Sequence, residues 1–141
     1  MRGAPILDFA LHHLTLARAA LYRTLIFKSQ IQNAKCQIEA AVDGLRASGN
    51  QDDVPRGLLS RALLRFVSDD KAACVADLDE AWQIAERGVM KLHMADVHLH
   101  RARLFRDEVE LAAARELIEA CGYHRRDGEL HDAEAAAESW P

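Results

Sequence analysis

The sequence predicts an all-α fold built from antiparallel helix pairs, and three observations support this prediction. A six-residue pattern, Leu-x-Arg-Ala-x-Leu, begins at Leu16, Leu59 and Leu99, so its copies are 43 and 40 residues apart. A period in this range is typical of helical repeat arrays. Only three prolines occur among 141 residues, and Ala, Leu, Glu and Arg are abundant, which favours helix throughout. Glycines recur where helices are expected to end.

The first two predicted helices form the first pair. Helix one runs from about Ile6 to Phe27, where apolar residues spaced three and four apart share one face. Ser29 begins helix two, and Gln32, three residues later, completes a capping box. Gly49 ends this helix, because a residue without a Cβ readily takes the left-handed conformation. The predicted buried face of helix two consists of Ile31, Ala34, Ile38, Ala41, Val42 and Leu45.

The third and fourth helices form the second pair. Pro55 lies in the first turn of helix three, where its missing N–H costs little, and this helix ends near Val67. The segment 68–70 forms the turn and supplies the N-cap of helix four, which runs to about Arg87. Gly88 is expected to close helix four. The predicted inward residues of helix four are Cys74, Val75, Leu78, Ala81, Trp82 and Ala85.

The fifth and sixth helices form the third pair. Helix five spans about Met90 to Phe105. Asp107 caps helix six, and Glu110 is expected to complete its capping box. Gly122 ends helix six. The residues expected to face inward on this helix are Val109, Ala113, Leu117 and Cys121.

We therefore expect one domain, residues 1–141, that contains three helix pairs. The units cover about residues 4–49, 50–88 and 89–122. A remaining helix at about residues 128–139 is expected to cap the last pair, whose apolar face would otherwise be exposed. The resulting prediction is an antiparallel helix-pair solenoid of about seven helices.

The repeated alanine and the repeated arginine have different expected roles. The alanine lies midway along the first helix of each pair, at Ala19, Ala62 and Ala102, where a small side chain allows the second helix to approach closely. The arginine before it has two interpretations. Either it pairs with a carboxylate of a neighbouring repeat, which we favour, or it belongs to a row of guanidinium groups for an acidic partner. These arginines are Arg18, Arg61 and Arg101.

With these residues in view, the sequence resembles the tetratricopeptide repeat (TPR) family, whose units are helix pairs with small residues at fixed positions. Ala62 matches the small position of the first helix, and Cys74, Leu78 and Ala81 match the small–large–small set of the second. The units are longer than the usual length of about 34 residues. They also lack the family's helix A tryptophan and tyrosine, and no proline closes a unit.

The resemblance is closest to the divergent TPR arrays at the C-terminal ends of bacterial signalling ATPases of the NACHT and NB-ARC type. The segments 77–81, 84–88 and 122–127 look like that group. The resemblance implies that this chain is either a stand-alone relative or a C-terminal fragment of such a sensor.

The TPR resemblance also implies a partner-binding groove lined by the first helix of each pair. An apolar centre with arginines at the edges suits a peptide or helix that carries a carboxylate and a few hydrophobic anchors. The alternative is that Leu59, Leu63 and Phe66 belong to the core. The implied lining residues are His13, Leu16, Ala20, Arg23, Arg56, Leu59, Leu63, Phe66, Asp96, Leu99, Arg103 and Arg106.

Residue patterns for catalysis or cofactor binding are missing from the sequence. The seven histidines form no HExxH motif and no pair at i, i+4, so we expect no metal site. The GxSxG and GxxxxGK[ST] motifs are also absent. The scattered residues Cys36, Cys74 and Cys121 are expected to be reduced, inward-facing and inert. We therefore expect no enzymatic activity and no cofactor.

Charge and hydropathy bound the function further. The net charge of −4 argues against a general nucleic-acid surface. No apolar run reaches the roughly 20 residues of a membrane span, and no secretory signal is recognised, so we expect a cytoplasmic location. The favoured function is a non-catalytic protein–protein interaction or scaffold module for a peptide or protein partner, with homodimerisation open. The alternatives are a sensor fragment of a larger signalling ATPase, a small helical enzyme and a nucleic-acid-binding module.

Overall fold

A computed structural model describes residues 10–19, 21 and 31–141, and it confirms the all-α prediction for this part of the chain. No strand occurs within these residues. The chain packs as two compact units, Met1–Ile84 and Ala85–Pro141. In the described residues, no helix is both long enough and apolar enough to cross a membrane. The single-domain solenoid stays a prediction.

Helices α1 to α4 build the first unit, with α4 belonging to it as far as Ile84. Residues 10–19 are helical and are called α1. α2 spans Ile31–Ala47, α3 spans Val54–Val67 and α4 spans Lys71–Arg87, close to the predicted ranges. The predicted ends of helix one and the Ser29 capping box lie outside the described residues.

Small residues bring the helices of the first unit close together. A Cβ added to Gly44 of α2 would lie 2.7 Å from the Cβ of Ala10 in α1. A Cβ added to Gly57 of α3 would lie 2.8 Å from Cδ1 of Leu45 in α2. The missing side chains at these two positions therefore set the spacing between α1, α2 and α3. The buried residues of one cluster in this unit are Ala17, Leu21, Ala34, Ile38 and Leu64.

The repeated alanine is buried in two of its three copies. Ala62 and Ala102 are 0% exposed, as predicted, but Ala19 is exposed. The reason is the angular position of Ala19, which lies two residues, about 200°, beyond Ala17 on the helix. The buried face of α1 consists of Ala10, Leu14 and Ala17, and Leu21, just beyond α1, is also buried.

Helices α5, α6 and α7 build the second unit. α5 spans Lys91–Phe105, α6 spans Glu108–Cys121 and α7 spans Asp127–Ala137, with a 3-10 turn at His124–Arg126 before α7. α7 packs on both α5 and α6, which is the position expected of a helix that caps the last pair. The buried core of this unit contains Ala95, Leu99, Ala102, Leu111, Ala114, Ile118, Leu130 and Ala133.

The predicted inward face of α6 is wrong in phase. Val109 is 79% exposed, and Cys121 is also exposed. The residues that α6 buries are Leu111, Ala114 and Ile118, which are spaced three and four apart, whereas the predicted residues are four apart throughout and lie on a different face. Several apolar residues on α6 allow either spacing, and packing against α5 and α7 selects the second.

Left-handed residues recur at the ends of the described helices. They are Gly49, Asp69, Val89, Arg106 and Gly122, with φ between 52° and 73°. In four cases the amide of the next residue donates to a carbonyl five residues back, which is the long hydrogen bond of a Schellman motif. These donors are Asp70, Met90, Asp107 and Tyr123.

The predicted end of α4 at Arg87 is confirmed, but the left-handed residue that closes it is not the predicted Gly88. The Met90 amide donates to the Ala85 carbonyl at 2.8 Å, and this bond places the turn at the residue directly before Met90. That residue is Val89, with φ 52°, and not Gly88. A β-branched residue rarely adopts this conformation, so the backbone at Val89 is strained.

At the α3–α4 and α5–α6 turns, the predicted N-caps form but the predicted capping box does not. Asp70 Oδ1 accepts the Ala73 amide at 3.2 Å, and Asp107 Oδ1 accepts the Val109 and Glu110 amides at 2.9 and 3.2 Å. Both aspartate N-caps are thus confirmed. Glu110 does not complete a capping box, because the Asp107 amide is already bonded to the Ala102 carbonyl at 3.1 Å.

Candidate interaction surface

α3 carries the central group of the predicted groove residues. Pro55 lies in the first turn of this helix, as predicted. Arg56 is exposed and lies 3.7 Å from the carboxylate of Asp53. Leu59 is only 4% exposed, so it belongs to the core. Leu63 is half-buried and also packs against a core cluster.

Phe66 and a lysine extend this surface to the end of α3. The Phe66 ring is half-buried, and the Lys71 Nζ lies 5.8 Å from its centroid, a separation that permits a cation–π interaction. Along α3, Arg56, Leu63 and Phe66 fall within about 80° of one face. We call Arg56, Leu63, Phe66 and Lys71 the α3 strip. Its partly exposed apolar middle is flanked by a cation at each end.

The predicted groove residues of α1 are described only in part. His13 is half-buried, and its Nδ1 donates to Gln37 Oε1 on α2 at 2.8 Å. Leu16 is 42% exposed. Ala20 and Arg23 lie outside the described residues. His13 is therefore tied to α2, and its role in binding a partner stays a prediction.

The predicted groove residues of α5 differ in exposure. Arg103 and Arg106 are exposed, and Arg106 is also the left-handed residue that ends α5. Asp96 and Leu99 are 8% and 2% exposed. The Asp96 carboxylate accepts hydrogen bonds from Arg126 Nε and Nη2 at 2.6 and 3.1 Å. Asp96 and Leu99 therefore serve the interior of the second unit.

The repeated arginine of the second copy anchors a buried ion cluster. Arg61 Nε and Nη2 donate to the two carboxylate oxygens of Asp77 at 3.0 and 2.8 Å. Arg65 Nη1 lies 2.8 Å from the same carboxylate, and Glu39 accepts from Arg61 at 3.1 Å. The cluster joins α3 to α4 and to α2. The side chain of Asp77 is 3% exposed, so its charge is compensated by these arginines and not by water.

The surroundings of this cluster change the pKa of two groups. Burial acts to lower the pKa of Arg61, but its bonds and charge attraction to Asp77 and Glu39 outweigh burial and raise the pKa. Burial, followed by the negative charge of Asp77, raises the pKa of the Cys74 thiol to about 11. A thiol with this pKa is protonated at neutral pH and a poor nucleophile.

The other two repeated arginines also contact neighbouring helices. Arg18 Nε donates to Ser60 Oγ on α3 at 2.9 Å. Arg101 Nη1 lies 3.8 Å from Glu110 Oε1 on α6, and Glu110 Oε2 accepts a hydrogen bond from His98 Nδ1. Each of the three arginines thus joins two helices, which favours a structural role over a row of cations for a partner. The predicted pairing with a carboxylate of a neighbouring repeat occurs for Arg61 and Glu39, whereas Asp77 and Glu110 lie in the same predicted units as their arginines.

Pairs that join helices could not be found by reading local motifs. Asp77 is sixteen residues from Arg61, and Asp96 is thirty residues from Arg126. Helical spacing provides no signal at such separations. The only sequence signal was the repeat of the arginine itself, which indicates that some partner exists without identifying it.

The structure shows how potential metal ligands and the three cysteines are placed in the part of the chain that it describes. No group of three or more potential metal ligands occurs among the described residues. Cys74 is buried as predicted, whereas Cys36 and Cys121 are exposed, which corrects the expectation that all three cysteines face inward. On their helices these two residues lie outside the stripes of buried residues.

Comparison of the chain with protein-family models gives no match, and comparisons with curated proteins and with solved structures give none either.

Proposed function

We propose that this chain is a non-catalytic protein–protein interaction or scaffold module, and that the α3 strip is part of the surface that binds its partner. The observation that carries the proposal is the arrangement of the strip. Leu63 and Phe66 are partly accessible between two cationic side chains, Arg56 and Lys71. An apolar patch with cations at its ends complements a peptide or helix that has a hydrophobic side chain between carboxylates.

The ion pairs of the interior support a binding role over a catalytic one. The buried charged residues of the first unit, Arg61 and Asp77, are engaged with each other. Two side chains that vary between the copies of the repeat motif and its flanks, Arg56 and Arg103, are exposed in contrast. A helical scaffold with a repeated interior and a varied surface is the usual arrangement of repeat proteins that bind other proteins. The TPR resemblance and a cytoplasmic location fit this proposal and remain part of it.

A display library of random peptides, selected against the full chain, tests the proposed function. We expect enrichment of peptides with an aliphatic or aromatic residue flanked by Asp or Glu. The double variant Arg56→Glu/Lys71→Glu should weaken their binding at least about tenfold, equivalent to 1.4 kcal/mol. Added salt should weaken the wild-type interaction, because the contacts are exposed charges.

A variant with the same charge change elsewhere is the matched control. Lys91 and Arg125 are exposed cations of the second unit, and Lys91→Glu/Arg125→Glu should bind the enriched peptides like the wild type. Equal binding by the wild type and the α3-strip variant would show that the partner binds elsewhere. Tight binding of mixed-sequence DNA with a steep loss on adding salt would instead favour the nucleic-acid alternative.

A further inference from the structure

Helix α6 has an exposed apolar face in addition to the face that it buries in the second unit. Val109 is 79% exposed, the highest value for a large apolar residue in the described part of the chain. Ala112 and Ala120 are exposed on the same side of the helix, because all three residues fall within about 80° around its axis. A helix that is apolar on more than one side is usually covered on more than one side. This face therefore has the composition of a surface that packs against another helix.

Carboxylates border the exposed face of α6. Glu108 lies directly before Val109, and Glu116 lies two turns after it, only about 20° away around the helix axis. Both glutamates are exposed. The single cation of α6, Arg115, lies about 120° away from Val109 and pairs with Glu134 of α7 at 2.7 Å. We call Glu108, Val109 and Glu116 the α6 strip, and its apolar side chain between carboxylates is the chemistry that the α3 strip complements.

The two strips have matching spacings when their helices run in opposite directions. In α3, Arg56 lies seven residues before Leu63, and in α6, Glu116 lies seven residues after Val109. Seven residues make two helical turns, about 10.5 Å along either axis. When Val109 is placed against Leu63 in an antiparallel contact, Glu116 therefore lies level with Arg56.

The other end of each strip also pairs opposite charges in this register. Glu108 lies toward the N-terminus of α6, which an antiparallel contact places beside the C-terminal end of α3. Lys71 lies at that end, with its Nζ 5.8 Å from the centroid of the Phe66 ring. A parallel contact would bring Glu116 to Lys71 but would place Arg56 beyond the first residue of α6. The antiparallel contact thus forms two ion pairs and the parallel contact one.

We propose that the partner of the α3 strip is a second copy of this chain, which contributes its α6 strip in an antiparallel helix–helix contact. This inference rests on the proposed function of the α3 strip and names its partner. The contact uses a different surface on each copy, so a chain bound through one strip still has the other strip to offer. Because the contact is small and its charges are exposed, we expect weak association that decreases with added salt.

Sedimentation velocity of the full chain tests this contact at concentrations up to about 1 mM, a range that detects weak association. The wild type should sediment faster as its concentration rises at low salt. The double variant Arg56→Glu/Lys71→Glu should raise the dissociation constant of self-association at least about tenfold, because like charges then face each other. The double variant Glu108→Lys/Glu116→Lys should have the same effect from the other side of the contact.

A mixture of the two double variants separates loss of the contact from loss of the fold. Each variant keeps one wild-type strip, and the reversed charges of the other two strips also complement each other. The mixture should therefore associate at concentrations where neither variant does so alone. The matched control is Asp132→Lys/Glu138→Lys, the same charge change at exposed carboxylates of the second unit, and it should associate like the wild type.

Several results would overturn the inference. They are a wild type that stays monomeric over the whole concentration range, self-association that either double variant leaves unchanged, an equal loss in the control, and a mixture no more associated than its components. The proposed function is tested separately by the enriched peptides. A monomeric wild type whose α3 strip still binds those peptides would reject the second copy as the partner and leave the proposed function standing.

Discussion

At the α3–α4 turn and at the α5–α6 turn the chain adopts the same succession of backbone conformations. A left-handed residue, Asp69 or Arg106, is followed by an aspartate that caps the next helix. The two hairpins nevertheless use the repeated arginine differently. Arg61 is bound by a buried carboxylate on the second helix of its hairpin, whereas Arg101 lies 3.8 Å from a partly exposed one.

This difference indicates that the repeat determines the backbone conformation of the turn more closely than it determines the ion-pair partners of the arginine. In the first hairpin a carboxylate with a side chain 3% exposed holds two arginines, so the charges form part of the core. In the second hairpin the most buried carboxylate, Asp96, pairs with Arg126 outside the hairpin. The same six-residue motif therefore supports one hairpin whose buried carboxylate is paired within the hairpin and another whose most buried carboxylate is paired outside it.

Removing the central carboxylate of each hairpin should give the largest difference in unfolding free energy between the two hairpins. Asp77→Ala leaves Arg61 and Arg65 without their buried partner and should cost about 3 kcal/mol of unfolding free energy. Glu110→Ala removes a partly exposed partner, with a side chain 24% exposed, and should cost about 1 kcal/mol or less. Urea denaturation measures both values. Equal losses would show that burial of the ion pairs does not distinguish the hairpins.

Removing the two aspartate caps tests the similarity of the turns. Asp70→Ala and Asp107→Ala should each cost about 1 kcal/mol, the usual loss for an N-cap. Asp107 accepts two backbone amides and Asp70 one, so the loss at Asp107 should be slightly larger. The same urea measurement applies, with Asp52→Ala as a control in an exposed loop. A loss at only one turn would show that the two N-caps contribute unequally to the unfolding free energy although the turns have the same backbone conformation.

The smallest expected effect is a gain at the left-handed residues. A non-glycine residue in this conformation is strained by about 1–2 kcal/mol, and the larger conformational freedom of unfolded glycine offsets about half of that. Arg106→Gly should therefore raise the unfolding free energy by up to about 1 kcal/mol. Asp69→Gly should raise it less, since aspartate tolerates this conformation better than arginine. The melting temperatures of the Arg106→Gly and Asp69→Gly variants rank the two gains. Gly128→Ala in α7 is the reverse substitution and is measured beside them. A larger gain at Asp69 would contradict this order.

Helix boundaries and caps were predictable because they depend on neighbours in sequence. Asp70, Asp107, Gly49 and Gly122 each act within one turn of their own position, and all four have the predicted role. The residue that closes α4 was missed by one position, because Val89 and not Gly88 takes the left-handed conformation, which a valine side chain disfavours. In that case a hydrogen bond of the turn overrides the local preference.

For the ion pairs and the exposed helix faces, the sequence allowed several arrangements and could not select among them. Glu110 has the spacing of a capping-box residue, yet it pairs with His98 because the amide it would cap is already bonded. The face of α6 was misassigned at Val109 because apolar residues occur on two sides of that helix. Both outcomes depend on which helix lies opposite, and this information is spread over distant parts of the chain.

The different accessibility of the three cysteines allows thiol labelling to measure how often the first unit opens. Cys36 in the first unit and Cys121 in the second are exposed, so a maleimide reaches one thiol in each unit. Cys74 is buried, and its thiol has a pKa raised to about 11, so it reacts only when α4 leaves the core and its thiolate becomes available. Once the two exposed thiols have been blocked, the rate of labelling at Cys74 counts the opening events of the first unit.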